Sequence, residues 1–208
     1  MVIIWPILLT RFFKRVFMWI VDTDFNEVKL IKKKLFFDNR GYFVENFHQE
    51  KIKKLLCKQF NFVQENESFS RKNTLRGLHY QIHPFAQSKI VNVINGSILD
   101  VVVDLRKNSP TFLQHIKIVI KSEDNLQLFI PRGFAHGFVA LEDFTRITYM
   151  VDNLYEPKSE RGILYCDSQL KIDWGINTSD IIISDKDLCL PKIEEIQDFF
   201  DYNIDYYA

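Results

Sequence analysis

Only three cysteines, Cys57, Cys166 and Cys189, occur in the 208 residues, and none forms a C-x-x-C pair. That excludes a disulfide framework and makes a reducing, cytoplasmic setting the expectation, with the thiols acting as small buried hydrophobes. An excess of charge is missing too, since 27 basic residues meet 27 acidic ones. Without a basic surplus there is little counterion release to drive nucleic-acid binding, so any polyanion bound here is a small one. Long apolar runs are also absent. Val2 to Leu9 is apolar but broken by Pro6, and it falls far short of the ~20 residues that span a bilayer. Its basic residues, Arg11, Lys14 and Arg15, follow the apolar stretch instead of preceding it, which does not fit a secretory signal. No membrane partner is expected. Residues 1–17 read as an extension, and residues 18–208, where the regular pattern runs, read as one domain.

Helix signals are sparse, and no repeat of solenoid period, low-complexity tract or Gly/Ser-rich linker interrupts the chain. What fills it are short runs of Val, Ile, Phe, Thr and Tyr separated by turn signals at 38–41, 95–96, 107–110 and 131–133. This is the pattern of an all-β sandwich or barrel. Strands are expected at 29–36, 61–69, 90–94, 97–105, 113–120, 126–130, 137–140 and 145–151. Helical spacing of Ile52, Leu55, Leu56 and Phe60 predicts a helix over 49–59, and Ile193, Ile196 and Phe200 predict a short one over 191–200. Asn95-Gly96 has no glycine-rich run around it and reads as a hairpin turn, not a phosphate loop.

Two strands say more than their hydrophobicity. Period-two alternation puts Phe60, Phe62, Gln64, Asn66, Ser68 and Ser70 on one face, which changes from apolar to polar along its length. Such a face suits either a ligand pocket in a barrel mouth or a strand leaving the core. Thr145, Ile147, Tyr149 and Val151 form another inward candidate, with one phenol among apolar neighbours. Between these lies Leu75-Arg76-Gly77-Leu78-His79-Tyr80-Gln81, followed by Gln87-Ser88-Lys89. A guanidinium, an imidazole and an ammonium among apolar residues fit a polar pocket inside a β architecture. They also fit a satisfied core histidine and a strand-end lysine, and both readings stand on the residues alone.

A metal site is not expected. His79 and His83 are four apart but Pro84 follows, so the segment is strand and loop, where that spacing does not pair ligands. His136 has no carboxylate at a ligand spacing, and no His-x-His pair, Gly-x-Ser-x-Gly elbow or dinucleotide fingerprint occurs. His79 as base, Tyr149 as acid, Lys89 as fixed cation, and Arg40 and Arg76 suit proton abstraction next to a carbonyl. That reaction needs a base at carbon, a cation or donor at the oxygen, and an acid to return the proton.

The segments Arg40-Gly41-Tyr42-Phe43-Val44-Glu45, Phe62-Val63-Gln64-Glu65-Asn66, 75–81, Asp100 to Arg106, Ser109-Pro110-Thr111-Phe112, Ile130 to Phe138 and Ser184-Asp185-Lys186-Asp187 resemble, in order and spacing, the dTDP-4-dehydrorhamnose 3,5-epimerase family. The resemblance runs from about Ile20 to Pro191. It implies a cupin-type jelly roll, usually a homodimer, that needs no cofactor and epimerises a nucleotide-linked 4-keto-6-deoxy sugar at C3 and C5. By the same resemblance His79 is the base, Asp187 orients it, Tyr149 is the acid on the far side of the ring, and Lys89 stabilises the enolate. Arg40, Glu45, Gln64, Asn66, Arg76, His136, Glu160 and Lys186 match positions that hold the sugar and diphosphate, and Tyr155 matches a ring that stacks on the base. Asp187 also fits a turn cap, and Glu160 and Lys186 also fit solvated charges. Epimerisation at one carbon, another nucleotide, a ketoisomerase and a non-catalytic sugar-binding jelly roll are the competing functions. Residues before Met18 and the aromatic tail from Phe199 to Tyr207 have no counterpart in the resemblance.

Overall fold

The computed structural model describes residues 17–208; of the expected extension, all but Phe17 lies outside the described residues. In chain order the elements are β1 (Met18–Asp22), β2 (Lys29–Lys33), β3 (Leu35–Asp38), β4 (Gly41–Val44), α1 (Gln49–Leu56), β5 (Gln64–Ser70), β6 (Leu75–Gln81), β7 (Lys89–Asn95), β8 (Ser97–Asp104), β9 (Arg106–Lys107), β10 (His115–Lys121), β11 (Leu126–Ile130), β12 (Phe134–Ala140), β13 (Thr145–Val151), β14 (Glu160–Gly162), α2 (Asp185–Leu188) and β15 (Phe200–Asp201). Two antiparallel sheets, ordered β1-β2-β11-β7-β13-β5 and β10-β8-β12-β6-β14, form the jelly roll.

Alternation within β8 explains how the sheets are filled. Ile98 and Val102 point between the sheets, where they meet Val91, Val93, Leu128, Ile130, Phe134, Phe138 and Ile147. Leu99, Val101 and Val103 point outward and are covered by Leu170, Trp174, Ile193 and Phe200. Both faces are therefore dry, and β8 is buried along its whole length. Each fully buried Val, Leu or Ile contributes roughly 1.5–3 kcal/mol of burial. On the outer face of the other sheet, Ile31, Ile90 and Phe129 pack under Ile52 of α1 and Phe60.

Several expectations change in three dimensions. The strand expected over 29–36 divides into β2 and β3, and β3 pairs with β4 in a separate ribbon. Asn95-Gly96 is not a hairpin turn: β7 belongs to one sheet and β8 to the other, so Gly96, at φ +77°, makes the corner between them. α1 stops at Cys57, which takes the left-handed conformation and donates its N–H to Lys53. Instead of a helix over 191–200, only a 3₁₀ turn at Ile193–Glu195 forms, and Phe200 continues into β15, parallel to β9. Ile193 and Phe200 are buried as the spacing required, but through a turn and a strand. The three cysteines are exposed, not buried, because Cys57 and Cys189 cap helix ends and Cys166 lies in a turn.

Candidate active site

The site begins with an irregularity in β6. Strict alternation would separate Arg76 from His79, which are three residues apart. Against β12, however, His136 pairs with His79 and Phe138 with Arg76, so β6 carries one extra residue between them. This β-bulge turns both side chains to the inner face, while Leu75, Leu78 and Tyr80 join the outer core. Gly77 makes the bulge possible. At φ +118° it lies so close to β12 that a Cβ would stand 2.6 Å from the Gly137 Cα and 2.8 Å from the His136 carbonyl oxygen.

Gly77 also donates its N–H to Asp187 Oδ2 at 3.1 Å, and the other Asp187 oxygen is 2.8 Å from His79 Nε2. Ser184 caps α2 by accepting the Asp187 N–H, which leaves the buried carboxylate free to turn toward β6 instead of closing a capping box. Burial works to raise the Asp187 carboxyl. The His79 hydrogen bond and charge, with the Gly77 and Ser184 bonds, outweigh it and hold the carboxyl below its ordinary range. A carboxylate at Nε2 fixes the neutral imidazole with its proton there, leaving Nδ1 as the open lone pair.

Opposite, in the other sheet, stand Tyr149 of β13 and Lys89 at the start of β7. Lys89 Nζ lies 3.4 Å from the His79 carbonyl oxygen. Burial pulls its pKa down to about 8, against the partial support of Asp100 and Glu160. The Tyr149 phenol is pushed up by burial, with Arg76 drawing it back and Glu160 adding to the rise. His79, Lys89, Tyr149 and Glu160 line both compartments of one cleft. The first, of about 290 Å³, is completed by Gln64, Asn66, Gln81, Gln87 and Tyr155. The second, of about 410 Å³, adds Arg76, His136, Ser68, Lys186 and Asp187. At the mouth, Glu160 accepts hydrogen bonds from Lys186 at 2.7 Å and from the Tyr155 hydroxyl at 2.8 Å. Burial would raise the Glu160 carboxyl, but these bonds prevail and lower it. Deeper in, His136 Nε2 is 2.9 Å from Asp100 Oδ2. Among the described residues no three His, Cys, Asp or Glu side chains converge as a metal-ligand set.

The sequence profile of the dTDP-4-dehydrorhamnose 3,5-epimerase family matches residues 22–195. A dTDP-4-dehydrorhamnose 3,5-epimerase of Shigella flexneri is 41% identical over 169 residues, covering 81% of this chain and 92% of that protein. This chain belongs to that family. Among solved structures, the dTDP-6-deoxy-D-glucose-3,5-epimerase of Legionella pneumophila in complex with dTDP-4-keto-L-rhamnose is similar with a TM-score of 0.85 at 39% identity, covering 90% of this chain and all of the other. A 3'-monoepimerase of Streptomyces bikiniensis in complex with dTDP-quinovose is more distant, with a TM-score of 0.75 at 29% identity over 83% of this chain and 86% of its own.

Two positions of the family pattern lie away from the cleft. Arg40 sits at the tip of the β3–β4 ribbon with its side chain 84% exposed and paired to Asp38, and Glu45 holds Lys51 at 2.6 Å. The cleft also contains residues that the sequence did not single out as site residues. Gln81 and Gln87 line its wall, and Asp100 supports His136. Period-two counting along β6 could have flagged Gln81, which shares parity with His79, whereas nothing local distinguishes Asp100 from any other strand-borne carboxylate.

Proposed function

We propose that this chain epimerises C3 and C5 of a dTDP-linked 4-keto-6-deoxy sugar, turning dTDP-4-dehydro-6-deoxy-D-glucose into dTDP-4-dehydro-L-rhamnose by way of an enolate. The observation that carries this reading is an imidazole and a phenol contributed by opposing sheets to one cleft, beside a desolvated ammonium. His79 Nδ1 takes the proton from the carbon next to the ketone, and the electron pair moves onto the C4 oxygen. Lys89 stabilises that oxyanion, and in a desolvated site its charge counts for more than it would in water. Tyr149, a phenol that is protonated at neutral pH and kept so by burial, returns a proton from the opposite face and inverts the centre. Asp187 holds His79 in the basic tautomer. Arg76 and Lys186 are assigned to the diphosphate, Gln64, Asn66, His136 and Glu160 to the sugar and its attachment, and Tyr155 to stacking on the base.

The homodimer implied by the resemblance belongs to the same proposal. Phe37, Tyr42 and Phe43 are exposed on the ribbon that carries Arg40, which supports a contact through which Arg40 of one subunit reaches the cleft of another. The described part of residues 18–208 is taken as one domain, because the jelly roll's outer clusters run into its tail. Three free, exposed cysteines favour a reducing cytoplasm.

NMR in deuterated water with dTDP- and GDP-linked 4-keto-6-deoxy sugars tests the reading. Deuterium entering at C3 and C5 with inversion is the expected result. Exchange at C3 alone would favour the monoepimerase reading, which the similarity to the Streptomyces bikiniensis enzyme keeps in view. A moved carbonyl would indicate a ketoisomerase, and no exchange would leave a sugar-binding module.

A further inference from the structure

The aromatic tail lies beyond the matched family region, which ends at residue 195, yet it reaches Ser88, which stands between the cleft-lining Gln87 and Lys89. Phe200 packs on Tyr80 and Tyr206, with ring centroids 6.2 and 5.0 Å away, in the outer core of one sheet. Seven residues on, the Tyr207 ring reaches Phe60 in the outer core of the other sheet, 6.2 Å between centroids. The tail thus crosses one end of the jelly roll as a strap. Arg132 pins it there: its guanidinium lies 5.0 Å from the Tyr207 ring centre and donates to the Tyr206 carbonyl at 2.6 Å. The Tyr207 hydroxyl, almost wholly buried, accepts the Arg132 backbone N–H at 3.1 Å and shares a 2.6 Å hydrogen bond with Ser88 Oγ.

Ser88 directly precedes Lys89. Its N–H is bound by Asp152 Oδ1 at 2.5 Å, and the second oxygen of that carboxylate accepts the Arg132 guanidinium at 3.2 Å. Asp152 itself follows Val151, the register partner of Lys89. Strand ends fray most easily, and Lys89 is the first residue of β7; the residue just before it, Ser88, is held at its backbone by Asp152 and at its hydroxyl by Tyr207, with Arg132 bracing both partners. The polar groups facing the Lys89 ammonium itself come from other strands: Asp100 of β8, Glu160 of β14, His79 of β6 and Tyr149 of β13.

We infer that Tyr207 is a positioning residue for the epimerisation, acting through the Ser88 hydroxyl to hold Lys89 in place and closed off from water. This rests on the role of Lys89 given under Proposed function. A displacement of about 1 Å in a charge-stabilising group can cost up to 10²-fold in rate, and the loss of one of the two holds on Ser88 moves it less.

Tyr207→Phe removes only the hydroxyl and keeps the ring packing. With dTDP-4-keto-6-deoxyglucose, kcat is expected to fall on the order of tenfold while KM changes by less than about twofold. The alkaline limb of kcat/KM is expected to move upward from about pH 8 as water reaches the ammonium. Ser88→Ala should shift the limb the same way, and the double variant should be no worse than Tyr207→Phe alone, since both single changes remove the Ser88–Tyr207 hydrogen bond. An unmoved limb in Tyr207→Phe, or additive losses in the double variant, would overturn the inference, including the case where only thermal stability falls. Lys89→Met separates this from the underlying reading. Exchange surviving in Lys89→Met removes the role of Lys89 itself, whereas an inactive Lys89→Met beside an unaltered Tyr207→Phe removes the strap's role alone.

Discussion

His79 and Asp187 are 108 positions apart in the chain and 2.8 Å apart in space, and their pairing decides which imidazole nitrogen is left open toward the cleft. Asp187→Asn keeps the shape but presents an amide that can donate to Nε2, which favours the tautomer with Nδ1 occupied. Deuterium exchange is therefore expected to slow on the order of 10³-fold, with KM little changed; an effect below tenfold in single-turnover exchange would count against the assigned tautomer. Lys89 makes a second prediction at this scale. Its ammonium, with a pKa of about 8, is present below that pH and lost above it, so kcat/KM should decline as pH rises through about 8. Lys89→Arg keeps the charge at every accessible pH. Its profile should stay level to about pH 10 even where its plateau is lower, and a limb unchanged from the parent would assign the decline to another group.

At the scale of elements, the bulge in β6 does what no single residue does: it turns Arg76 and His79 to the same wall. Gly77→Ala tests this directly. The new methyl group would meet β12 backbone at 2.6 and 2.8 Å, at a φ of +118° that L residues seldom adopt. The expected loss is about 2–5 kcal/mol of stability, read from the urea midpoint, together with loss of exchange in whatever fraction stays folded. A folded variant with parental activity would show that the bulge is dispensable. α2 depends on its neighbours in the same way. Four residues cannot hold a helix alone, so the Ser184 cap and the docking of Asp187 on Gly77 keep it in place.

For the whole molecule, the two sheets divide the labour, one supplying His79, Arg76 and His136, the other Tyr149, Lys89, Gln64 and Asn66. A ring held between them is open to proton transfer on both faces. The remote ribbon bearing Arg40 yields a prediction about assembly: sedimentation should give twice the chain mass, and Arg40→Ala and His79→Ala should each be nearly inactive alone. Mixed and re-equilibrated, they should regain activity, because one of the two sites in a mixed dimer then carries neither change. No recovery on mixing would confine each cleft to its own chain.

Most of the long strands, the balanced charge and the polar face of β5 were legible in the sequence, because alternation is a local property of an extended backbone and leaves its trace in residue order; the edge and short strands β1, β4, β9, β14 and β15 were not. A turn cap in 184–187 was legible too, but the sequence offered Asp187 for it, and the structure gives the cap to Ser184 and turns Asp187 to His79. The outcomes at Asn95-Gly96, at 191–200 and at Gly77 were not. A turn's residues do not say which sheet receives the next strand, a spacing of three or four suits a 3₁₀ turn and strand as well as a helix, and a bulge is defined only against the strand beside it. Tertiary structure alone decided that Asp187 would meet His79, that Lys89 would be drawn out of bulk water into the cleft wall, and that a tail beyond the family profile would pack against the residue before the strand that carries it. Each of these depends on contacts between residues far apart in the chain, and residue order records no such distance.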